Sequence, residues 1–375
     1  MDKIVPITMP KFGLAMTEGK VASWAKPEGA AIDVGDELAD IETSKITNAY
    51  ESPVQGTLRR HVAPEQEELP VGALIAVVAD PSVPDSEIDA FIAEFQEEFA
   101  KGRGAEEGAA TPAPATVEVG GRTVRFLETG SEHEGRPIVL IHGFGGDLNN
   151  WMFTQPALAQ AHRVLSVDLP GHGGSSKEVG AGDLAALSGA LAGFLEARDI
   201  PKAHLVGHSL GAAVALRFAL GKPAHPASLT LICPAGFGAE INGDFIAGFI
   251  AATRRKQLQP VLERLVADKS LVSRDMAEDV LRFKRLDGAQ AALTAIAEAN
   301  FGGGTQREIL VSQLQKLDGI PIQVIWGAKD EIIPARQAEA LPPSIAVHVL
   351  REAGHMPHME RAAEVNRLIL SQVRG

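Results

Sequence analysis

The 375 residues predict an α/β fold, a mostly parallel, helix-covered sheet with a helical lid, preceded by a small all-β sandwich. Three observations carry this expectation. From Val117 onward the runs RPIVLIHG, HRVLSVDLP, AHLVGHS, ASLTLICP, IPIQVIWG and IAVHVL are apolar, β-branched and closed by Gly, Pro or polar residues, with helical stretches between most of them. That is the signature of strands buried on both faces of a parallel sheet. Before Asp80, short apolar alternations are broken by Gly and Pro, as in strands joined by tight turns. Finally, GKVASWAKPEGAAIDVGDELADI and GTLRRHVAPEQEELPVGALIAVV align at one constant offset, with Gly19 on Gly56, Val21 on Leu58, Pro27 on Pro64, Gly35 on Gly72, Leu38 on Ile75 and Ile41 on Val78. Two like halves imply a pseudo-symmetric sandwich.

Composition sets the outer bounds. A chain 45% hydrophobic and 22% charged is an ordinary globular one, long enough for one large core and a smaller one. A net charge of −13 opposes nucleic-acid backbones and anionic membrane surfaces, so neither is an expected partner. The single cysteine, Cys233, forms no internal disulfide, and MDKIVPITMP lacks the apolar core of a secretory signal. No apolar run approaches the roughly 20 residues of a membrane span. A reducing cytoplasm is the expected location.

Residues 1–80 form the first expected domain. Its two halves are joined at ETSKI, Glu42 to Ile46, which puts Lys45 on an exposed hairpin. Gln66 stands where the first half has Gly29, so that turn is expected to differ between the copies. The ETSKI hairpin, the downstream ESPVQG and the upstream MPKFGLAMTEG resemble those of lipoyl domains. The resemblance implies lipoate covalently bound at Lys45. Biotin carriers share the architecture but usually flank the lysine with methionine, where this chain has Ser44 and Ile46. Acidic residues outnumber basic ones in this domain, which suits steering toward basic partner sites.

Residues 81–116 are expected to hold one amphipathic helix and a flexible linker. Ile88, Phe91, Ile92, Phe95 and Phe99 share one helical face, with Asp85 or Ser86 placed to cap the start and a neighbouring domain as the surface it packs on. GRGAEEGAATPAPAT has a linker's Gly, Ala and Pro content and, as a flexible chain, would span roughly 20–25 Å.

Residues 117–375 form the second expected domain, in which helix-forming segments such as PVLERLVADK between Phe237 and Gln315 read as a lid over 237–315. GHSLG lies directly between the strand AHLV and the helix LGAAVALRFAL, the setting of a G-x-S-x-G nucleophile elbow, with Ser209 at its centre. Serine needs a base to take its proton, and the base needs an acid to hold its tautomer. Asp330 in WGAKDEIIP and His355 in REAGHMPHME, each just past a strand, complete the order serine, acid, histidine. The backbone N–H groups of Leu210 and of Phe144 in HGFGG are the expected oxyanion donors. His355 is preferred to His358 because it stands immediately past the strand, after Gly354. A metal held by this H-x-x-H pair lacks a third ligand, so none is expected. His142 reads as shaping its loop, His208 as structural or pocket-lining, and Asp168 and Trp151 as loop architecture. With triad and oxyanion loop together, these residues resemble an α/β-hydrolase over their full length.

A lipoyl domain followed by an α/β-hydrolase resembles the dihydrolipoyllysine-residue acetyltransferase family of acetoin dehydrogenase complexes. The resemblance implies a multi-subunit complex with a thiamine-diphosphate-dependent acetoin dehydrogenase component and a dihydrolipoamide dehydrogenase, and coenzyme A as acceptor of an acetyl group carried on Lys45. Ordinary lipoyl acyltransferases use an H-x-x-x-D-G motif, which this chain lacks: four residues before Asp287 and Asp318 stand Phe283 and Leu314. Transfer must then run through Ser209. A serine esterase or thioesterase tethered to a carrier, and a scaffold with an inert hydrolase fold, are the alternatives.

Overall fold

The structure, a computed structural model, describes residues 4–10, 16, 18–43, 47–102, 112–222, 224–339 and 341–374. The chain divides into two compact units, Met1–Thr111 and Pro112–Gly375.

In the first unit the strands are β1 (Ile4–Thr8), β2 (Glu18–Trp24), β3 (Ala31–Ile32), β4 (Glu37–Glu42), β5 (Thr47–Glu51), β6 (Gly56–His61), β7 (Glu68–Pro70) and β8 (Leu74–Ala79). They form two four-stranded sheets, ordered β1-β8-β6-β3 and β5-β4-β2-β7. Exchanging each strand with its mate in the other half turns one order into the other, so the sequence repeat is a structural two-fold. The matched positions are also the core: Val21, Leu58, Leu38, Ile75, Ile41 and Val78 are all buried between the sheets. The turn expected to differ does not. Gly29 and Gln66 share the left-handed conformation, with φ of 86° and 67°. Their N–H groups donate to symmetry-matched carbonyls, Gly29 to Leu58 at 2.6 Å and Gln66 to Val21 at 2.8 Å. A further bond from Gln66 Nε2 to Ala22 O, 2.7 Å, offsets the strain of a side chain at positive φ. Strands β4 and β5 pair antiparallel with Glu42 opposite Thr47. Lys45, in the connection between them, lies outside the described residues.

Helix α1 (Asp85–Gly102) starts where the apolar period starts. It packs on the first unit's own sheet: Ile88, Phe91, Ile92 and Phe95 meet Leu74, Val77 and Ala79 of β8 together with Ile4, Val62 and Val83. Asp85 is its first residue, and its carboxylate takes Arg59 at 2.8 Å and Arg60 at 3.3 Å. The linker residues 103–111 lie outside the described residues. Ile88 is the fully buried member of the helix face. Ile88→Ala is expected to destabilise the helix contact by about 2–4 kcal/mol; faster amide exchange across 85–99, with the second unit's exchange unchanged, is the check.

The second unit carries one eight-stranded sheet, from β9 (Ala115–Val119), β10 (Arg122–Thr129), β11 (Ile138–Ile141), β12 (Val164–Val167), β13 (Ala203–His208), β14 (Pro226–Ile232), β15 (Ile322–Gly327) and β16 (Ala346–Leu350). The order is β16-β15-β14-β13-β11-β12-β10-β9. β11 to β16 run parallel, and each of the six predicted runs supplies one of them. The antiparallel edge pair β9–β10 was not among the expectations, and β9 begins at Ala115, two residues before the expected boundary at Val117. The helices are α2 (Gln155–Leu158), α3 (Leu184–Ala197), α4 (Leu210–Gly221), α5 (Gly243–Ala251), α6 (Arg255–Leu262), α7 (Arg274–Lys284), α8 (Ala289–Phe301), α9 (Pro357–Glu360) and α10 (Ala362–Arg374). Every residue of β11, β12 and β13 is buried, so helices cover both faces of the sheet's centre. α5 to α8 fall between β14 and β15, in the stretch read as a lid. Parallel register brings Ile141, Gly207, Leu231, Val324 and Val347 level across the sheet, so the loops after these strands open along one edge.

Candidate active site

Ser209 follows β13 and precedes α4, in a backbone conformation few residues adopt, φ 51° and ψ −116°. The glycines on either side explain how the turn closes. A Cβ on Gly207 would lie 2.5 Å from Gly211 O, and one on Gly211 would lie 2.2 Å from Ile141 O. The helix therefore sits directly on the strand ends, and the turn is held by Ser209 N–H to Ile232 O, 2.9 Å, and Ala235 N–H to Ser209 O, 3.1 Å. Leu210 is the first residue of α4, so its N–H is one of the helix's unpaired leading donors. Phe144 lies in the loop after β11, and no bond within the protein takes up its N–H among the described residues. Its ring is wedged against Phe249 of α5, Phe301 of α8 and His172. The same loop abuts the serine: a Cβ on Gly143 would lie 3.2 Å from Ser209 Cβ.

Asp330 and His355 come together from different loops. His355 Nδ1–H donates to Asp330 Oδ2 at 2.7 Å, with both side chains buried. The same carboxylate accepts from Trp326 Nε1 at 3.0 Å and, through Oδ1, from the backbone of Ile332 at 2.8 Å and Ile333 at 2.9 Å. These donors satisfy the oxygens of a carboxylate that is out of reach of water. Fixing Nδ1–H on Asp330 leaves Nε2 of His355 as the basic nitrogen. Among the described residues no hydrogen bond joins Ser209 Oγ to His355; the serine is 6% exposed and the histidine 2%. Such bonds commonly tighten only around substrate.

Three other histidines surround the pair, and burial holds each below its ordinary pKa. His358 is pushed down to about 3 and its ring lies against Trp151 and His208. His208 Nε2–H donates to His355 O at 2.8 Å. His142 accepts Leu169 N–H on Nε2 at 3.0 Å and turns Nδ1 to Gly143 O at 2.7 Å, an arrangement only the neutral ring supports. It thereby ties the Phe144 loop to the loop after β12. Asp168, fully buried, ties the same loops: it accepts from Leu148 N at 2.8 Å and Gly174 N at 2.7 Å and pairs with Arg125 Nε at 2.6 Å.

Sequence reasoning passed over Cys233, Trp326 and Glu360. Cys233 directly follows β14, at φ 42°, and its Sγ lies within 4.8 Å of ligand atoms on Asp330 and His355. These three atoms are poorly suited to a metal. His355 and Asp330 are committed to each other, and burial, with the Asp330 charge, pushes the thiol well up, away from the thiolate a metal needs. The signal for Trp326 was its place four residues before the acid on the same strand end. Glu360 carries no local motif.

This fold and constellation define an α/β-hydrolase fold protein with a biotinyl/lipoyl carrier module ahead of it. The α/β hydrolase fold family matches residues 136–362, and a biotin/lipoyl family described as biotin-requiring enzyme matches residues 5–78. Among solved structures, a meta-cleavage product hydrolase from Pseudomonas fluorescens superposes with a TM-score of 0.62 at 23% identity, over 69% of this chain and 97% of that one, a likeness of fold. Two full-length relatives go further. The dihydrolipoyllysine-residue acetyltransferase component of the acetoin cleaving system of Pseudomonas putida is 50% identical over 100% of both chains, and that of Cupriavidus necator is 45% identical over 99% of this chain and 98% of its own. The chain belongs to this family of acetyltransferase components, as its motifs indicated.

The glycine requirement gives a direct check. Gly211→Ala would drive a methyl into the carbonyls of Ile141 and His142, at 2.2 and 2.4 Å, all backbone and unable to yield cheaply. We expect a loss of at least about 1–3 kcal/mol, seen as a lowered Tm of the second unit by calorimetry or as failure to accumulate soluble protein.

Proposed function

We propose that this protein moves an acetyl group from a dihydrolipoyl arm on Lys45 to coenzyme A, through an acyl-enzyme on Ser209, as the transferase of an acetoin-cleaving complex. The observation that carries the reading is the 2.7 Å pair of His355 Nδ1 and buried Asp330, set on the same sheet edge as the strained Ser209 turn. Support for the carrier comes from the two-fold sandwich and from β4 and β5 pairing on either side of residues 43–46, which makes Lys45 part of a hairpin connection. Lipoate on Lys45 would supply a thiol on which the acyl group arrives as a thioester.

His355 Nε2 takes the proton of Ser209 Oγ as oxygen attacks the thioester carbon, and Asp330 holds the imidazolium that forms. The N–H groups of Phe144 and Leu210 take the oxyanion. As the intermediate collapses, the C–S bond breaks and His355 returns the proton to the departing sulfur. In the second half, His355 takes the proton of the coenzyme A thiol, the sulfur attacks the acetyl carbon, and Ser209 leaves with that proton. No electrons are gained or lost.

The expected partners are a thiamine-diphosphate-dependent acetoin dehydrogenase component, which would load the arm, and a dihydrolipoamide dehydrogenase, which would reoxidise it. The net charge of −13 excludes nucleic acid as an expected partner, and among the described residues no helix is long and apolar enough to cross a membrane. We place the protein in the cytoplasm.

Two measurements test this. Intact-mass spectrometry of protein produced in a lipoylating host should show one added lipoyl group, absent in Lys45→Arg; a biotin increment or none removes the carrier role. Single-turnover mixing of the acetylated arm with coenzyme A should yield acetyl-coenzyme A, at least about 10³-fold slower in Ser209→Ala. Serine-dependent acetate instead would make the protein a tethered thioesterase, and unchanged transfer in Ser209→Ala, with no labelling of Ser209 by a fluorophosphonate, would make the second unit an inert body.

A further inference from the structure

Glu360 ends α9, and no step of the proposed chemistry uses it. Its two carboxylate oxygens are nonetheless committed to two different parts of the molecule. Oε1 accepts the Gly354 N–H at 2.8 Å, and Oε2 accepts the Ala267 N–H at 2.7 Å. Gly354 immediately precedes His355, whereas Ala267 belongs to the lid. The lid segment approaches so closely that a Cβ on Gly354 would lie 2.8 Å from Ala267 N and 2.9 Å from Val266 C.

The peptide that bears His355 is thus held at three successive points. The N–H before it goes to Glu360, its own carbonyl takes His208 Nε2–H at 2.8 Å, and the N–H after it, on Met356, goes to Leu265 O of the lid at 3.1 Å. Two of the three lead to lid residues 265–267. Glu360 touches both the lid and the histidine loop, and burial raises its pKa while the N–H groups of Ala267, Gly354 and Met356 and the nearby His355 ring oppose that rise. A packed contact of this kind transmits displacement rather than absorbing it.

We propose that Glu360 is a positioning residue that sets His355 through the Gly354 peptide and clasps that peptide to lid residues 265–267, so that the base is aimed only while the inner edge of the lid is seated. The proposal rests on the reading of Ser209, His355 and Asp330 as the reacting set. Its consequence is that the lid governs the base as well as access: moving 265–267 releases an oxygen of Glu360 and the carbonyl partner of Met356 together.

The test compares the full-length protein with Glu360→Gln. The amide can accept one N–H but turns its own N–H₂ toward the other, so one half of the clasp is lost with little change of volume. Ser209 is titrated with a fluorophosphonate, and single-turnover acetyl transfer from p-nitrophenyl acetate to coenzyme A is measured per titrated site. We expect a fall in rate of about 10- to 100-fold per site, the size of effect that an ångström of misplacement produces, with KM for the acetyl donor unchanged. The low-field proton resonance of His355 Nδ1–H should shift or broaden as well, a readout that stability alone would not move. An unchanged rate per titrated site, or a loss accounted for wholly by fewer titratable sites, overturns the proposal. If Glu360→Gln does not fold, Glu360→Asp, which keeps the charge but is a methylene too short to hold both N–H groups, is measured against the same criterion. Transfer that survives Ser209→Ala in the wild-type background would sink the serine mechanism instead, and the resonance of His355 would still report on the clasp.

Discussion

Two positions with no space for a side chain, Gly207 and Gly211, govern the geometry of the second unit. Because α4 lies against the carbonyls at the end of β11 and its first turn against Gly207 of β13, the chain must reverse within one residue, and that residue is Ser209 at φ 51°. The reversal aims the serine out of the sheet edge and leaves the leading N–H groups of α4 unspent. It also brings the loop after β11 against the serine, since Gly143 cannot carry a Cβ there without crowding His208 and Ser209. Strain of this kind persists only where the surroundings over-determine it, and here the surroundings are the core strands, every residue of which is buried.

Around that turn, chemistry is divided by hydrogen bonding rather than by residue type. Five histidines, His142, His172, His208, His355 and His358, crowd in ring contact with one another, yet among them only His355 hydrogen-bonds a carboxylate through its ring. His142, His208 and His358 are kept neutral by burial, and two of them spend their nitrogens on backbone groups that hold loops in place. A neutral imidazole with a committed donor is a structural strut; one with its Nδ1–H on Asp330 is the ring we propose as the base. Asp168 does for the Phe144 loop what Glu360 does for the histidine loop, each a carboxylate accepting backbone N–H groups from two separate segments.

The first unit shows how far a repeat can be trusted. Matched apolar positions became the shared core because a two-fold sandwich buries equivalent faces by construction. Gln66 against Gly29 suggested a changed turn, since glycine alone adopts positive φ without cost. The turn is kept, because hydrogen bonds from Gln66 to Val21 and Ala22 repay the strain. Residue preference lost to the geometry that symmetry imposes. In the same way α1 was readable as an amphipathic helix from its period, but which surface received it depended on the outer face of β8, whose apolar residues alternate through both sides of the sheet.

By itself the sequence determined what is local: strand and helix periods, the duplicated sandwich, the G-x-S-x-G turn with its small flanking residues, the order of serine, acid and histidine, and the lysine between the two halves. These are legible because each depends on residues adjacent in the chain or on a repeat within it. Tertiary structure decided what depends on convergence. It gave His355 a carboxylate and His358 aromatic neighbours, placed Trp326 and Cys233 around Asp330, and joined Glu360 to a lid residue distant in sequence. No local pattern encodes such contacts, because a buried polar atom takes its partner from whichever segment the close-packed core brings within bonding distance.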